Sequence, residues 1–338
     1  MSERGVARVA DSRMVRPRAK SVRRFLLPAD YVARNGSLSE PWPLSEALAY
    51  TRWLARKHYE NFPVVSFLLP RRLHQDFYNV YAFCRWADDL GDEIGDPQRS
   101  LELLDDWRRG LEAMYAGRVR HPVFVALRQT VERHRIPAEP FADLIRAFVQ
   151  DQTITRYETW DQLLDYCVYS ANPVGRLVLH LCGYTDEERR SLSDATCTAL
   201  QLANHCQDVT RDWDKGRVYI PLDAMAPHRY SLAALEEDIR RGVASAPFRA
   251  LMGEICGRAR ELFVKGLPLA DLVDRRLGVD LELFSRGGMA ILDRIAGQGY
   301  DVIAKRPALG KAAKGILLLK VLARRVIPKP REALHAYR

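Results

Sequence analysis

The chain has 338 residues, of which 47% are hydrophobic and 28% charged, with a formal net charge of +9. That balance excludes a wholly disordered chain and leaves ample apolar surface to bury in a folded domain. The charge is uneven: residues 1–24 carry eight Arg or Lys against Glu3 and Asp11, residues 301–338 carry ten against Asp301 and Glu332, and the body between is mildly acidic. Basic ends around an acidic body argue against nucleic acid as partner and suit an anionic membrane surface or simple solubility.

The opening stretch, MSERGVARVADSRMVRPRAK, lacks the continuous apolar core of a secretion signal. Residues 1–44, rich in basic residues, Gly, Ser and Pro, read as a flexible arm. Apolar residues then recur at three- and four-residue intervals from Ser45 to about 325, with almost no strand-like alternation. Arg72 to about Asp92 reads as one long helix ended by Gly95-Asp96-Pro97. Further helices are expected at about 98–115, 122–135, 138–154, 159–182 and 187–214, then, after a turn-like stretch from Lys215 to Pro227, at 231–242, 246–265, 281–298 and 308–325. The prediction is a single all-α domain over 45–325 with a basic tail at 326–338, a helical bundle whose facing helices gather functional side chains around a central cavity. Six scattered cysteines without a CxxC pair read as free thiols, and no apolar run approaches 18 residues. The expected location is therefore the cytoplasm.

Two stretches carry chemistry. In YAFCRWADDLGDE, Asp88 and Asp92 lie four residues apart and so share a helix face, with Asp89 turned about 100° away. Alone, such a pair reads as a solvated acidic face. In QLANHCQDVTRDWDKGRVYIP, Asn204, Asp208 and Asp212 again recur every four residues, with Gln201 one turn earlier and apolar neighbours around them. Two such faces suggest Mg²⁺ held by carboxylate oxygens at the mouth of a cavity, where it would neutralise a leaving diphosphate above an apolar pocket.

From His58 to Lys314 the chain resembles the squalene and phytoene synthase family. The match rests on Tyr81-Ala82-Phe83-Cys84-Arg85, on Asp88-Asp89-Leu90-Gly91-Asp92, and on Gln201, Asn204, Asp208 and Asp212 leading into Arg217-Val218-Tyr219. The resemblance implies an isoprenoid synthase fold and a prenyl diphosphate substrate. It also implies that Asp88, Asp92, Asn204, Asp208 and Asp212 bind Mg²⁺ and carry catalysis. By the same resemblance Tyr81 and Arg85 contact diphosphate, Gln201 and Tyr219 bind substrate, Arg217 either contacts phosphate or forms a salt bridge, and Phe62 stands at the pocket entrance. Ser170, Ala171, Val174 and Gly175 would line the prenyl channel.

Gln207 stands where many members have arginine, and Gly288 replaces a late tyrosine. With ENFPVVSFLLP and YSANPVGRLVLH, these departures resemble the hydroxysqualene synthase branch of the bacterial hopanoid route. That branch takes presqualene diphosphate and water to hydroxysqualene, needs no NADPH, and works beside enzymes that supply its substrate and consume its product. Two alternatives stay open: head-to-head synthesis of squalene, dehydrosqualene or phytoene, and a non-catalytic isoprenoid-binding protein.

Other features keep two readings. Asn172-Pro173 is either a structural kink or a place where Asn172 orients water or an intermediate. Tyr166, Tyr169, Trp213 and Tyr219 either pack or face a cation. His205 beside Cys206 lacks the second pair of ligands that zinc needs. The basic, apolar segment KAAKGILLLKVLARRVIPKP is either a packed terminal helix or a peripheral membrane contact.

Overall fold

The computed structural model describes residues 25–35, 42–57 and 69–326. Among them every regular element is helical, and the β-type pairing is confined to an isolated bridge between Arg156 and Val218. In chain order the helices are α1 (Pro28–Asn35), α2 (Leu44–Lys57), α3 (His74–Asp92), α4 (Pro97–Tyr115), α5 (Pro122–His134), α6 (Glu139–Gln150), α7 (Trp160–Ser170) and α8 (Asn172–Leu181). There follow α9 (Glu187–Gln207), α10 (Val209–Asp214), α11 (Leu222–Met225), α12 (Leu232–Arg241), α13 (Ala246–Gly266), α14 (Arg275–Gly297) and α15 (Lys311–Val326).

Local chemistry sets the boundaries. After α3 the chain reverses at Gly95, whose φ of 76° favours a residue without Cβ. Asp96 then caps α4, its carboxylate accepting from Gln98 N–H at 3.0 Å, with Pro97 in the first turn. The stretch 159–182, expected as one helix, is two. Ala171 (φ −113°, ψ −48°) separates them, and Pro173 falls in the first turn of α8, where its missing N–H costs nothing. The stretch 187–214 likewise breaks at Asp208 (φ −108°, ψ 19°), although Asp208 N–H still reaches Asn204 O at 2.9 Å and Asp212 N–H reaches Asp208 O at 2.8 Å. The expected turn 215–227 holds the short α11, and α6 stops at Gln150. The helix expected from 281 begins at Arg275, because Asp274 accepts from Arg276 N–H and Leu277 N–H and caps it.

Two cores flank the middle of the bundle. In one, α3 packs against α1, α2, α4, α5, α6 and α8 around Trp86, Trp107, Phe83 and Phe141. In the other, α9 lies along α13 and touches α7, α8 and α14, around Tyr166, Phe248, Phe263 and Ile295. The first acidic motif thus sits on the central helix of one core, and the second begins on that of the other and continues into α10.

Part of the expected arm 1–44 is packed. Tyr31 of α1 is buried edge-on against Trp86, Phe25 and Trp42 meet Tyr50, and Tyr50 donates its hydroxyl to Leu26 O at 3.0 Å. Composition marked this stretch as loose, but its three aromatics have large surfaces to bury. Residues 1–24, 36–41, 58–68 and 327–338 lie outside the described residues.

His121 joins this packing to a helix start. Its Nδ1 accepts from Val123 N–H at 3.3 Å and caps α5, so its proton sits on Nε2, which has no hydrogen-bond partner among Trp86, Trp107 and Phe124. Burial pushes its pKa from 6.5 down to about 3. The unfolded chain therefore takes up a proton near pH 6.5 that the folded chain refuses, and stability falls as pH drops below that value. Denaturant unfolding at pH 7 and pH 5 should show wild type losing about 2 kcal/mol more than His121→Asn over that interval. Equal losses would mean that the imidazole is not held neutral.

Candidate active site

Side chains from both motif helices converge on a cavity of about 460 Å³. Asp88 and Asp92 reach it from α3, Asp151 from the end of α6, and Tyr166 and Ser170 from α7. Gln201, Asn204, His205 and Asp208 line it from α9 and its end, followed by Arg211, Asp212, Lys215, Arg217 and Tyr219. A second cavity, about 220 Å³ and almost wholly apolar, is lined by Val174, Gly175 and Val178 of α8, Cys197 and Leu200 of α9, and Leu281 and Phe284 of α14. Leu200 and Gln201 are consecutive residues, so the charged space and the greasy space are lined by neighbouring turns of one helix.

Cations stand against the carboxylates. Asp92 accepts from Lys215 Nζ at 2.8 Å and Arg217 Nη2 at 3.0 Å. Burial alone would raise the Asp92 carboxyl, but these two partners outweigh it and hold it below the usual range. Asp208 is gripped by Arg306, Nε to Oδ1 at 2.5 Å and Nη2 to Oδ2 at 2.9 Å, a fork that matches carboxylate geometry. Arg85 bridges Asp88 at 3.1 Å and also pairs with the buried Asp89. Behind this layer Asp151 accepts from Tyr166 Oη at 2.9 Å and Tyr219 Oη at 3.2 Å, and burial lifts its pKa to about 6. His205 stacks on Tyr219 with ring centroids 3.8 Å apart, and burial pushes its pKa down to about 3.

Asp212 is the exception. Burial, then the negative charge of Asp208, lifts it to about 7, and Arg217 and Lys215 only partly oppose them. Among the described residues no three His, Cys, Asp or Glu side chains close on one point as metal ligands do. The donors nevertheless fit a hard divalent cation: five carboxylates and the side-chain amides of Gln201 and Asn204 line one cavity.

Most of the sequence-expected residues meet here: Asp88, Asp92, Asn204, Asp208, Asp212, Gln201, Ser170, Arg217 and Tyr219 line the charged cavity, and Val174 and Gly175 the apolar one. Tyr81 lies one turn before Arg85 on α3. Ala171 is the buried hinge between α7 and α8. Asn172 is buried, and its Oδ1 accepts from Thr198 Oγ1 at 2.9 Å. Arg146 stacks over the Tyr169 ring and Arg156 over that of Trp213. Phe62 lies outside the described residues.

Asp151, Lys215 and Arg306 escaped the sequence reading, and His205 was weighed there only as a zinc ligand. His205 had a signal, because it follows Gln201 by four residues and so shares its helix face. Asp151 and Arg306 had none, since only the fold brings them to the motifs.

The sequence profile of the family described as squalene/phytoene synthase matches residues 55–313. The chain is 37% identical over 261 residues to a hydroxysqualene synthase of Zymomonas mobilis subsp. mobilis, covering 75% of this chain and 84% of that protein. It is 34% identical over 278 residues to a phytoene synthase of Thermus thermophilus, covering 81% and 92%. Among solved structures, squalene synthase HpnC from Alicyclobacillus acidocaldarius superposes with a TM-score of 0.71 at 46% identity, covering 76% of this chain and 95% of that one.

The two departures noted in the sequence have physical explanations. Gln207 is buried and donates from Nε2 to Pro307 O at 2.6 Å, so residues 306 and 307 latch onto positions 208 and 207 together. Gly288 is a packing residue: a Cβ there would lie 2.1 Å from Cζ of the buried Phe263. Gly288→Ala should therefore destabilise the protein by about 1–3 kcal/mol through overpacking. In Phe263→Leu, where the ring is gone, the same change should cost less. Denaturant melts of the four chains measure the difference, and strict additivity would contradict the contact.

Proposed function

The chain belongs to the squalene/phytoene synthase family, and on that premise we propose that it converts presqualene diphosphate and water to hydroxysqualene and diphosphate, with Mg²⁺ and without NADPH. The observation that carries this reading is that α9 lines both a charged cavity and an apolar one. A diphosphate ester of a long hydrocarbon has these two ends, and the bond to be broken lies between them.

In this reading Asp88, Asp92, Asn204, Asp208 and Asp212 hold the metal, which when bound supplies positive charge to the departing diphosphate oxygens. Lys215, Arg217 and Arg306, already beside those carboxylates, offer N–H donors to the same oxygens, as does Arg85 from α3, where Tyr81 would offer its O–H. The apolar cavity keeps water from the cation while the cyclopropylcarbinyl skeleton rearranges. Ser170, whose buried hydroxyl lacks a partner and lines the charged cavity, is placed to hold the water that adds its oxygen to the cation and loses a proton. The relatives named hydroxysqualene synthase, at 37% and 36% identity, support that outcome.

A second reading, condensation of two prenyl diphosphates head to head, is favoured by the 34% identity to the Thermus phytoene synthase. One assay separates them. Purified protein with Mg²⁺ and presqualene diphosphate should release diphosphate and yield hydroxysqualene with no NADPH added. Turnover of farnesyl or geranylgeranyl diphosphate without turnover of presqualene diphosphate would sink the first reading in favour of the second. Asp88→Ala should lower kcat on the order of 10²-fold or more. Arg306→Met, which removes a charge-assisted pair but no metal ligand, should lower kcat/KM by about 10-fold to 100-fold.

A further inference from the structure

The terminal helix α15 leaves an apolar face uncovered. Val321 is fully buried, and Arg325 is tied to Glu282 at 2.8 Å and Asp271 at 3.0 Å, so one side of the helix is fixed to the bundle. On the opposite side Ala312, Ile316, Leu319 and Ala323 follow one another at helical spacing, all exposed, with Ile316 54% and Leu319 67% accessible. Spaced at i, i+4, i+7 and i+11, they form one stripe within about 40° of a common direction. Lys320 and Arg324 border it.

A separate feature lies next to this stripe. Between α14 and α15 runs a groove of about 550 Å³, lined by apolar Met289 and Leu317 and by Arg260, Arg286, Lys320 and Arg324. Its acidic partners do not balance these cations. Asp293 pairs with Arg260 at 2.5 Å, and Glu282 is shared between Arg286 at 2.6 Å and Arg325. Arg324 reaches Glu282 only at 3.9 Å, and Lys320 has no ionic partner among the described residues.

We propose that α15 docks this face onto an anionic phospholipid bilayer, with Ile316 and Leu319 entering the acyl boundary and the α14–α15 groove receiving lipid phosphates. An apolar stripe beside cations is the pattern of a helix that lies in the interface plane. A second copy of this chain is a poorer occupant, because a twofold contact through the face would oppose Lys320 and Arg324 to themselves. Among the described residues no helix is long and apolar enough to cross a membrane, so the contact is peripheral. The geometry gives the contact a use: α14 lines the apolar cavity with Leu281 and Phe284 and the groove with Arg286 and Met289. One helix therefore separates the space for a hydrocarbon chain from the bilayer.

The test uses the full chain and sucrose-loaded vesicles, either of phosphatidylcholine alone or with one part phosphatidylglycerol to two parts phosphatidylcholine. Wild type should sediment with the anionic vesicles, not with the neutral ones, and release as salt rises. Lys320→Gln/Arg324→Gln should weaken partition by about 30-fold. Ile316→Ser/Leu319→Ser should weaken it by at least as much. Both variants alter exposed residues away from the charged cavity, so thermal midpoint and diphosphate release should match wild type. Because partition does not depend on turnover, it fails or stands apart from the reaction proposed above. Wild type that ignores anionic vesicles, or variants that bind them as wild type does, would overturn the proposal. So would a wild-type dimer that only Ile316→Ser/Leu319→Ser dissolves, which would make the face an interface between copies.

Discussion

Repulsion between carboxylates that face one cavity is the constraint around which this site is organised. Asp88, Asp92, Asp208 and Asp212 line a space already partly cut off from water, where like charges are screened poorly. The fold answers with cations drawn from distant parts of the chain. Lys215 and Arg217 come from the turn after α10, Arg306 from beyond α14, and Arg85 from the turn before Asp88. Asp212 receives the weakest answer, and its carboxyl is lifted to about 7. In the proposed reaction the charge left over at Asp212 would fall to a divalent cation.

That arrangement needs stiff supports, and the two cores provide them. Trp86, on the same helix as Asp88 and Asp92, is buried between Trp107 and His121, so the first motif is carried by the most aromatic part of the bundle. The second motif rides on α9, clasped by α7, α8, α13 and α14. The break at Asp208 lets the chain turn into α10 while the backbone hydrogen bonds to Asn204 and from Asp212 persist, so the spacing of the three donors survives the end of the helix. Tyr166, Tyr219 and His205 form a packed layer beneath the donors, with Asp151 accepting from both phenols.

Periodicity made much of this legible. The four-residue recurrence of Asp88 with Asp92, and of Asn204 with Asp208 and Asp212, already placed each set on one face, and the fold brings both faces to one cavity. The boundaries were less legible. Ala171 breaks a helix although alanine is a strong helix former, because Pro173 two residues later can sit without cost only near a helix start. The packing of α1 was hidden because Gly, Ser and basic residues dominate the composition around Phe25, Tyr31 and Trp42, and three aromatics outweigh them once a surface is available. Asp151 and Arg306 were out of reach altogether. Their roles depend on contacts across tens of residues, and no local pattern encodes such a contact.

The departures at positions 207 and 288 sharpen this point. Read along the chain, Gln207 removes a cation from beside Asp208, and the site should be left more acidic. Read in space, Arg306 meets Asp208 from the loop before α15, and Gln207 holds the loop by its amide to Pro307 O. Gln207 and Arg306 therefore act on one segment, the amide holding the loop whose arginine meets Asp208. Gly288 follows the same logic with volume in place of charge, since the ring of Phe263 from α13 fills the space directly against it. A site of this kind is defined by which groups reach a point and by what holds them there, and a residue missing from one helix can be supplied by another.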